Sequence, residues 1–275
     1  MGHFGFDEEA KTAEYVGQTS NVSGVHSAST RPAPYIEELE RKGLLIGSIS
    51  ASELSVDFQP IANLLTGETR GYEVLPRSRC EGLTNPEELF ARATFEKTVG
   101  ELGRALRAIA IRECAGAALF IPVHPGELKD RFLVRPDDPI CEHDAQVFLQ
   151  LSQPLFTELG RVMVAELGCR AGVTLVFDDL GAGPTTLQQL AELEPGAVKL
   201  DASLLADIEQ SPRKQTVVRS IVAMCEQLGA QVIAKGIDRE PELQAAIDCG
   251  VVYGQGAVLG GPAPLPIISA WPPSG

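Results

Sequence analysis

The 275-residue chain (29.3 kDa) is 44% hydrophobic and 22% charged, the proportions of a packed globular protein, which excludes a largely disordered one. A net charge of −14 makes it a poor general ligand for nucleic acid or an anionic membrane, because both repel an acidic surface. It has no apolar run of the roughly 18 residues that a spanning helix needs. The start, MGHFGFDEEAK, lacks the basic region and apolar core of a secretory leader. Cys80, Cys114, Cys141, Cys169, Cys225 and Cys249 are scattered without a CxxC pair, so they read as reduced thiols of a cytoplasmic protein, not a zinc site or disulfide frame.

Residues 1–34, rich in Ser, Thr, Gly, Asn and Pro, read as a flexible arm. Asn21-Val22-Ser23 fits a glycosylation acceptor, but nothing else suggests secretion. Residues 35–50 read as a short helix, ending near Gly43, and a linker, and residues 51–268 as the folded domain with a short tail, 269–275. Runs 55–62 and 69–75 predict a hairpin, followed by strands at 118–123, 145–151, 173–178, 197–200, 231–235 and 251–254. Helix-length stretches separate them, most clearly at 86–115, 155–170, 214–229 and 240–249. Phe90, Phe95, Leu102 and Leu106 recur at near-helical spacing and read as core. This alternation predicts an α/β fold, a (β/α)8 barrel with an unusual opening hairpin. A doubly wound open sheet is the alternative, although no glycine-rich phosphate loop follows any strand.

In barrels of this kind chemistry sits where strands finish. Those ends carry Glu73, Pro122, Gln150, Asp178-Asp179, Lys199, Lys235 and Gln255, an accumulation of ionisable and amide groups on one rim. Asp178-Asp179 is the sharpest feature. Adjacent side chains diverge along a strand, so the pair is expected to reach two cations, or one cation and one polar anchor; an acidic helix cap is the structural alternative. Lys199 is placed to neutralise a carboxylate or hold a phosphate oxygen. His124, beside Pro125, reads as a hydrogen-bonded structural residue, not a metal ligand, and Trp271, in a Pro-rich tail, as a partner anchor or a side chain packed on its own domain.

The segments DFQPIANLLTGETRGYEVLPR, LFIPVHPGEL, VFDDLGAGPTTLQQL, AVKLDASLL, QVIAKGID and YGQGAVLGGPAP together resemble the EAL domain family, the cyclic di-GMP phosphodiesterases, over about residues 53–266. The resemblance implies a TIM-type barrel with an antiparallel first strand, and hydrolysis of cyclic di-GMP with Mg²⁺ or Mn²⁺. Of the ten polar positions it implies, Glu73, Asp178, Asp179, Lys199 and Gln255 are retained. Asp238 stands where the family has Glu, Pro122 where it has a metal-binding Asn, Gln150 and Gln153 where it has two glutamates, and Lys235 where it has Glu.

Two-metal cleavage needs oxygen donors around closely spaced cations. Pro122 offers no side-chain oxygen, Gln150 a neutral one, and Lys235 an ammonium. An ammonium about 4 Å from a carboxylate is worth about 4 kcal/mol at an effective dielectric near 20, so Lys235 can stand in for a metal's charge but cannot activate water. The expected function is therefore a catalytically inactive EAL-like regulatory protein acting on a protein partner, with cyclic di-GMP as a metal-independent ligand and no cofactor. An interaction scaffold without nucleotide is the alternative. A residual phosphodiesterase using Asp178, Asp179 and Glu73 with one Mg²⁺ or Mn²⁺ is the second. Gln59, Glu73, Leu75, Arg77, Asp179, Lys199, Lys235 and Gln255 are the nucleotide-binding candidates, with Arg77 free to meet a phosphate. Pro76, the replacement of aromatic and Arg positions by Ala257, Leu259 and Gly261, and Pro184 oppose binding. Family resemblance also implies a homodimer formed near the loop after Asp178-Asp179.

Overall fold

The computed structural model describes residues 34–128, 137–151, 173–182 and 194–269, with Leu133 and residues 190–192. The arm before Pro34, the helix expected at 155–170, Gln153, Pro184, Cys169 and Trp271 lie outside the described residues. Helix α1 (Pro34–Lys42) comes first. Where the sequence suggests only a linker, a small antiparallel hairpin forms from β1 (Leu45–Ile46) and β2 (Ile49–Ser50), burying Ile46 and Ile49.

Eight further strands close into a barrel: β3 (Leu54–Asn63), β4 (Thr69–Ser78), β5 (Leu119–Val123), β6 (Val147–Leu151), β7 (Thr174–Leu180), β8 (Ala197–Leu200), β9 (Gln231–Ala234) and β10 (Tyr253–Gly254). β3 runs antiparallel to both neighbours, β4 and β10, and the other pairings are parallel. The β3–β4 turn is set by Asn63, whose side-chain oxygen accepts from Leu65 N and Thr66 N, and by Gly67 at φ +76°.

Strand residues alternate between two apolar layers, as strands buried on both faces must. One set packs outward under the helices. The other, Ile61, Phe120, Phe148, Val176, Ala197 and Ile233, fills the barrel, with Phe120 and Phe148 stacked at 4.1 Å between ring centroids. The single helix expected over 86–115 is two, α2 (Pro86–Glu96) and α3 (Val99–Glu113), because Lys97 turns left-handed at φ +60°. The break also corrects the reading of Phe95 as core: it is 85% exposed, whereas Leu102 and Leu106 are buried and Phe90 packs against the core. Helices α4 (Ala202–Leu205) and α5 (Pro212–Gln227) join β8 to β9, and α6 (Glu240–Asp248) joins β9 to β10. Among the described residues no helix is long and apolar enough to cross a membrane.

A buried ion cluster clamps α3 to the segments after β5. The Arg107 guanidinium grips Asp138 through two bonds of 3.1 and 2.8 Å and also pairs with Glu127. Burial pushes the Glu127 carboxyl up against the pull of Arg107. Gly103, in mid-helix, is explained by the same cluster: a Cβ there would lie 1.9 Å from Glu127 Oε2. His124 has the expected structural role. It stacks on Phe90 at 4.9 Å, and its Nδ1 accepts from Gly126 N.

Candidate functional site

The rim follows from strand periodicity. Two residues beyond each inward position at the barrel floor, the side chain points inward again, one layer nearer the mouth. Gly71 is followed by Glu73, Phe120 by Pro122, Phe148 by Gln150, Val176 by Asp178, Ala197 by Lys199, Ile233 by Lys235 and Tyr253 by Gln255. On antiparallel β3 the order reverses, and Gln59 precedes Ile61 and pairs across with Glu73.

Two networks occupy the mouth. The inner one centres on Glu73, which is 7% exposed. Its Oε1 accepts from Lys199 Nζ at 2.6 Å and Gln150 Nε2 at 2.9 Å, and its Oε2 from Gln255 Nε2 at 2.5 Å. Lys199 Nζ also donates to Gln150 Oε1 at 2.6 Å. An amide at position 150 suits this arrangement, since one end donates to the carboxylate and the other accepts from the ammonium. A glutamate there would set a second negative charge beside Glu73. Burial works to raise the Glu73 carboxyl, but the charge and donor of Lys199, with the amides of Gln255 and Gln150, bring it down to about 2. Gln255 Nε2 also reaches Gln59 Oε1 at 3.4 Å, and Gln59 Nε2 donates to Gly260 O at 3.3 Å.

The outer network is Lys235 with Asp178 and Asp179. Lys235 Nζ donates to Asp178 Oδ1 at 2.9 Å and to Asp179 Oδ1 at 2.5 Å. The carboxylates do not diverge as the strand rule predicts. The β7–β8 register shifts between Phe177 and Leu180, Asp179 takes a left-handed φ of +58°, and Asp179 N donates to Asp178 Oδ1. This irregularity turns both side chains toward one ammonium. Burial works against the Lys235 charge, but Asp178 and Asp179 overcome it and raise its pKa.

Other predicted residues are spent on structure. Asp238 Oδ1 accepts from Ala257 N at 2.9 Å, pinning the loop after β10. Pro122, partly buried, pairs with Gln150 in the β5–β6 register and adds no polar group. Leu75 is partly exposed opposite Asp57. Arg77 is not free: its Nε donates to Asp57 Oδ2 at 2.7 Å and its Nη1 to Pro76 O. Sequence reasoning missed Asp57, although it stands two residues before Gln59 on the same inward face. Gly256 keeps Gln255 in place by close approach, because a Cβ would lie 2.1 Å from Ile237 O. Gly256→Ala is therefore expected to cost about 1–3 kcal/mol as overpacking, with the melting temperature falling roughly 2–4 °C per kcal/mol in a thermal melt.

Residues 40–262 match the EAL domain. The chain belongs to the EAL domain family. A Caulobacter vibrioides protein described as an uncharacterized signaling protein is 28% identical over 86% of this chain and 31% of its own length. The cyclic di-GMP phosphodiesterase PdeR of Escherichia coli K12 is 26% identical over 82% of this EAL chain and 36% of its own. Among solved structures, Klebsiella pneumoniae BlrP1 in a manganese/cy-diGMP complex is 27% identical, with a TM-score of 0.67 over 77% of this chain and 56% of that one. The EAL chain thus spans about a third of the length of these two curated relatives. The antiparallel first strand and TIM-type closure implied by the sequence are both present.

Proposed function

We propose that this EAL domain is a catalytically inactive regulatory module: it receives a cyclic dinucleotide at the barrel mouth without a divalent metal and acts on a protein partner. One observation carries the reading: Lys235 Nζ sits on both Asp178 and Asp179, the carboxylates through which the family resemblance implies metal binding. The remaining donors support it. Both Glu73 oxygens are taken by Lys199, Gln150 and Gln255, Gln150 is held at both ends, and Pro122 has no donor. These residues do not fit a pair of divalent cations.

The mouth suits an anion better. Lys235 presents a charge whose raised pKa keeps it protonated throughout the physiological range, and Arg77 lies on the neighbouring rim, restrained by Asp57. The second reading, a residual phosphodiesterase, is favoured by the activity named for PdeR and by the retained Glu73, Asp178 and Asp179.

Calorimetric titration with cyclic di-GMP, with and without Mg²⁺, tests the proposal alongside chromatographic assay of the nucleotide. Binding that is indifferent to Mg²⁺, with the nucleotide recovered intact, is expected. Metal-dependent conversion to a linear dinucleotide overturns it. In the same titration Asp57→Asn is expected to tighten binding about tenfold by releasing a charge-assisted bond of Arg77.

A further inference from the structure

To tell one base from another, a site needs donors or acceptors that its own structure leaves unpaired, because base edges differ in where such groups stand. Carboxamides serve well, since one end donates and the other accepts. Three stand in the mouth, and the mouth's own network consumes them. Gln150 donates to Glu73 Oε1 and accepts from Lys199 Nζ. Gln59 donates to Gly260 O and accepts from Gln255 Nε2. Gln255 Nε2 also donates to Glu73 Oε2, which leaves Gln255 Oε1 as the one atom of these amides without a partner among the described residues. The two ends of that amide cannot trade places, because an ionised carboxylate only accepts. An acceptor at this point does not separate the purines: guanine offers it the N2 amine and adenine the N6 amine.

What the mouth has left to give is charge. Asp178 and Asp179 take two of the three protons on Lys235 Nζ. The third belongs to a compact point charge with no preferred plane, which suits a phosphate oxygen. Among the described residues Arg77 keeps only Nη2 unengaged, since its Nε is on Asp57 and its Nη1 on Pro76 O. Each fork of the guanidinium therefore has one nitrogen occupied, and neither is wholly open for the two-bond grip by which an arginine reads guanine. Lys199, 0% exposed, is spent on Glu73 and Gln150. A stacking platform is missing too: the inward layer that holds Glu73, Gln150 and Lys235 carries no aromatic ring among the described residues, and Phe120 and Phe148 lie one layer below, stacked on each other.

We infer that the mouth selects its ligand by phosphate charge and not by base: Lys235 and Nη2 of Arg77 take the anionic backbone of a cyclic dinucleotide, and the purine goes unread. This rests on the proposed reading of the mouth as a metal-free nucleotide site and sets the breadth of its ligand class, which takes in the adenine and the guanine cyclic dinucleotides alike.

Calorimetric titration of the full chain with cyclic di-GMP and with cyclic di-AMP, both in EDTA, tests this. The two dissociation constants are expected to agree within about threefold, because a site without base-edge contacts has only sequence-tolerant interactions to offer. Lys235→Gln is expected to weaken both ligands by the same factor, at least about tenfold, since each loses the same charge-assisted bond. The wild-type comparison decides the matter by itself if that variant does not fold. A preference for either base beyond about threefold overturns the inference and leaves the reading of the mouth as a nucleotide site standing. So does a Lys235→Gln effect confined to one base. Absence of binding by both nucleotides overturns that reading, and the inference with it.

Discussion

Returning oxygen donors to the mouth with Pro122→Asn, Gln150→Glu and Lys235→Glu is expected to raise divalent-metal affinity above that of the wild-type chain. The triple variant makes the mouth three charges more negative and removes the ammonium from Asp178 and Asp179. Each close ionic contact is worth about 4 kcal/mol at 4 Å and an effective dielectric near 20 before desolvation, so a gain of at least about 10²-fold in Mn²⁺ affinity is a conservative expectation. Titration calorimetry with Mn²⁺ checks it. Turnover of cyclic di-GMP should rise with it, by at least about 10³-fold, because a bound metal supplies several kcal/mol of transition-state stabilisation. A wild-type chain that already binds Mn²⁺ as tightly as the triple variant would refute the substitution logic.

Lys199→Met is expected to be the most damaging single change at the mouth. Lys199 is 0% exposed and is the only ammonium bonded to Glu73 among the described residues. Removing one partner of a buried pair typically costs about 3–5 kcal/mol, because the other charge is left uncompensated. The pH dependence identifies the cause. The folded Glu73 carboxyl lies at about 2, below its ordinary 4.5. Its contribution is therefore complete above pH 4.5 and disappears as pH falls toward 2. In Lys199→Met this part of the acid limb should flatten, and adding Glu73→Met should recover much of the lost stability. Denaturant midpoints measured across that pH range check both; equal midpoints for wild type and Lys199→Met would contradict them.

Much of the barrel was legible because its strands are apolar on both faces, and the inward layer turns polar at the same step on each. That switch picked out Glu73, Gln150, Asp178, Lys199, Lys235 and Gln255 before any coordinate was needed. What stayed hidden depends on local departures from regular geometry. The rule that neighbouring strand residues diverge fails at Asp178-Asp179 because of the register shift and the left-handed Asp179. Helical periodicity through 86–115 could not show that Lys97 breaks the run and turns Phe95 to solvent. Arg77 looked available because a motif names the arginine but not the carboxylate opposite. Asp57 lies on the antiparallel partner strand, and only the β3–β4 register brings the two within 2.7 Å.

The placement of β3 between β4 and β10 has a consequence for synthesis on the ribosome. Its partner on one side is the next strand to emerge, and on the other the last. Until residues 253–263 leave the exit tunnel, β3 keeps an unpaired edge on the side that Tyr253, Gly254 and Ala263 will cover. Such an edge can recruit another chain, and its native partner lies almost 200 residues away in sequence, a separation that slows closure. A nascent chain stalled before this last stretch should thus be the species most in need of a chaperone, and one released after it should close unaided.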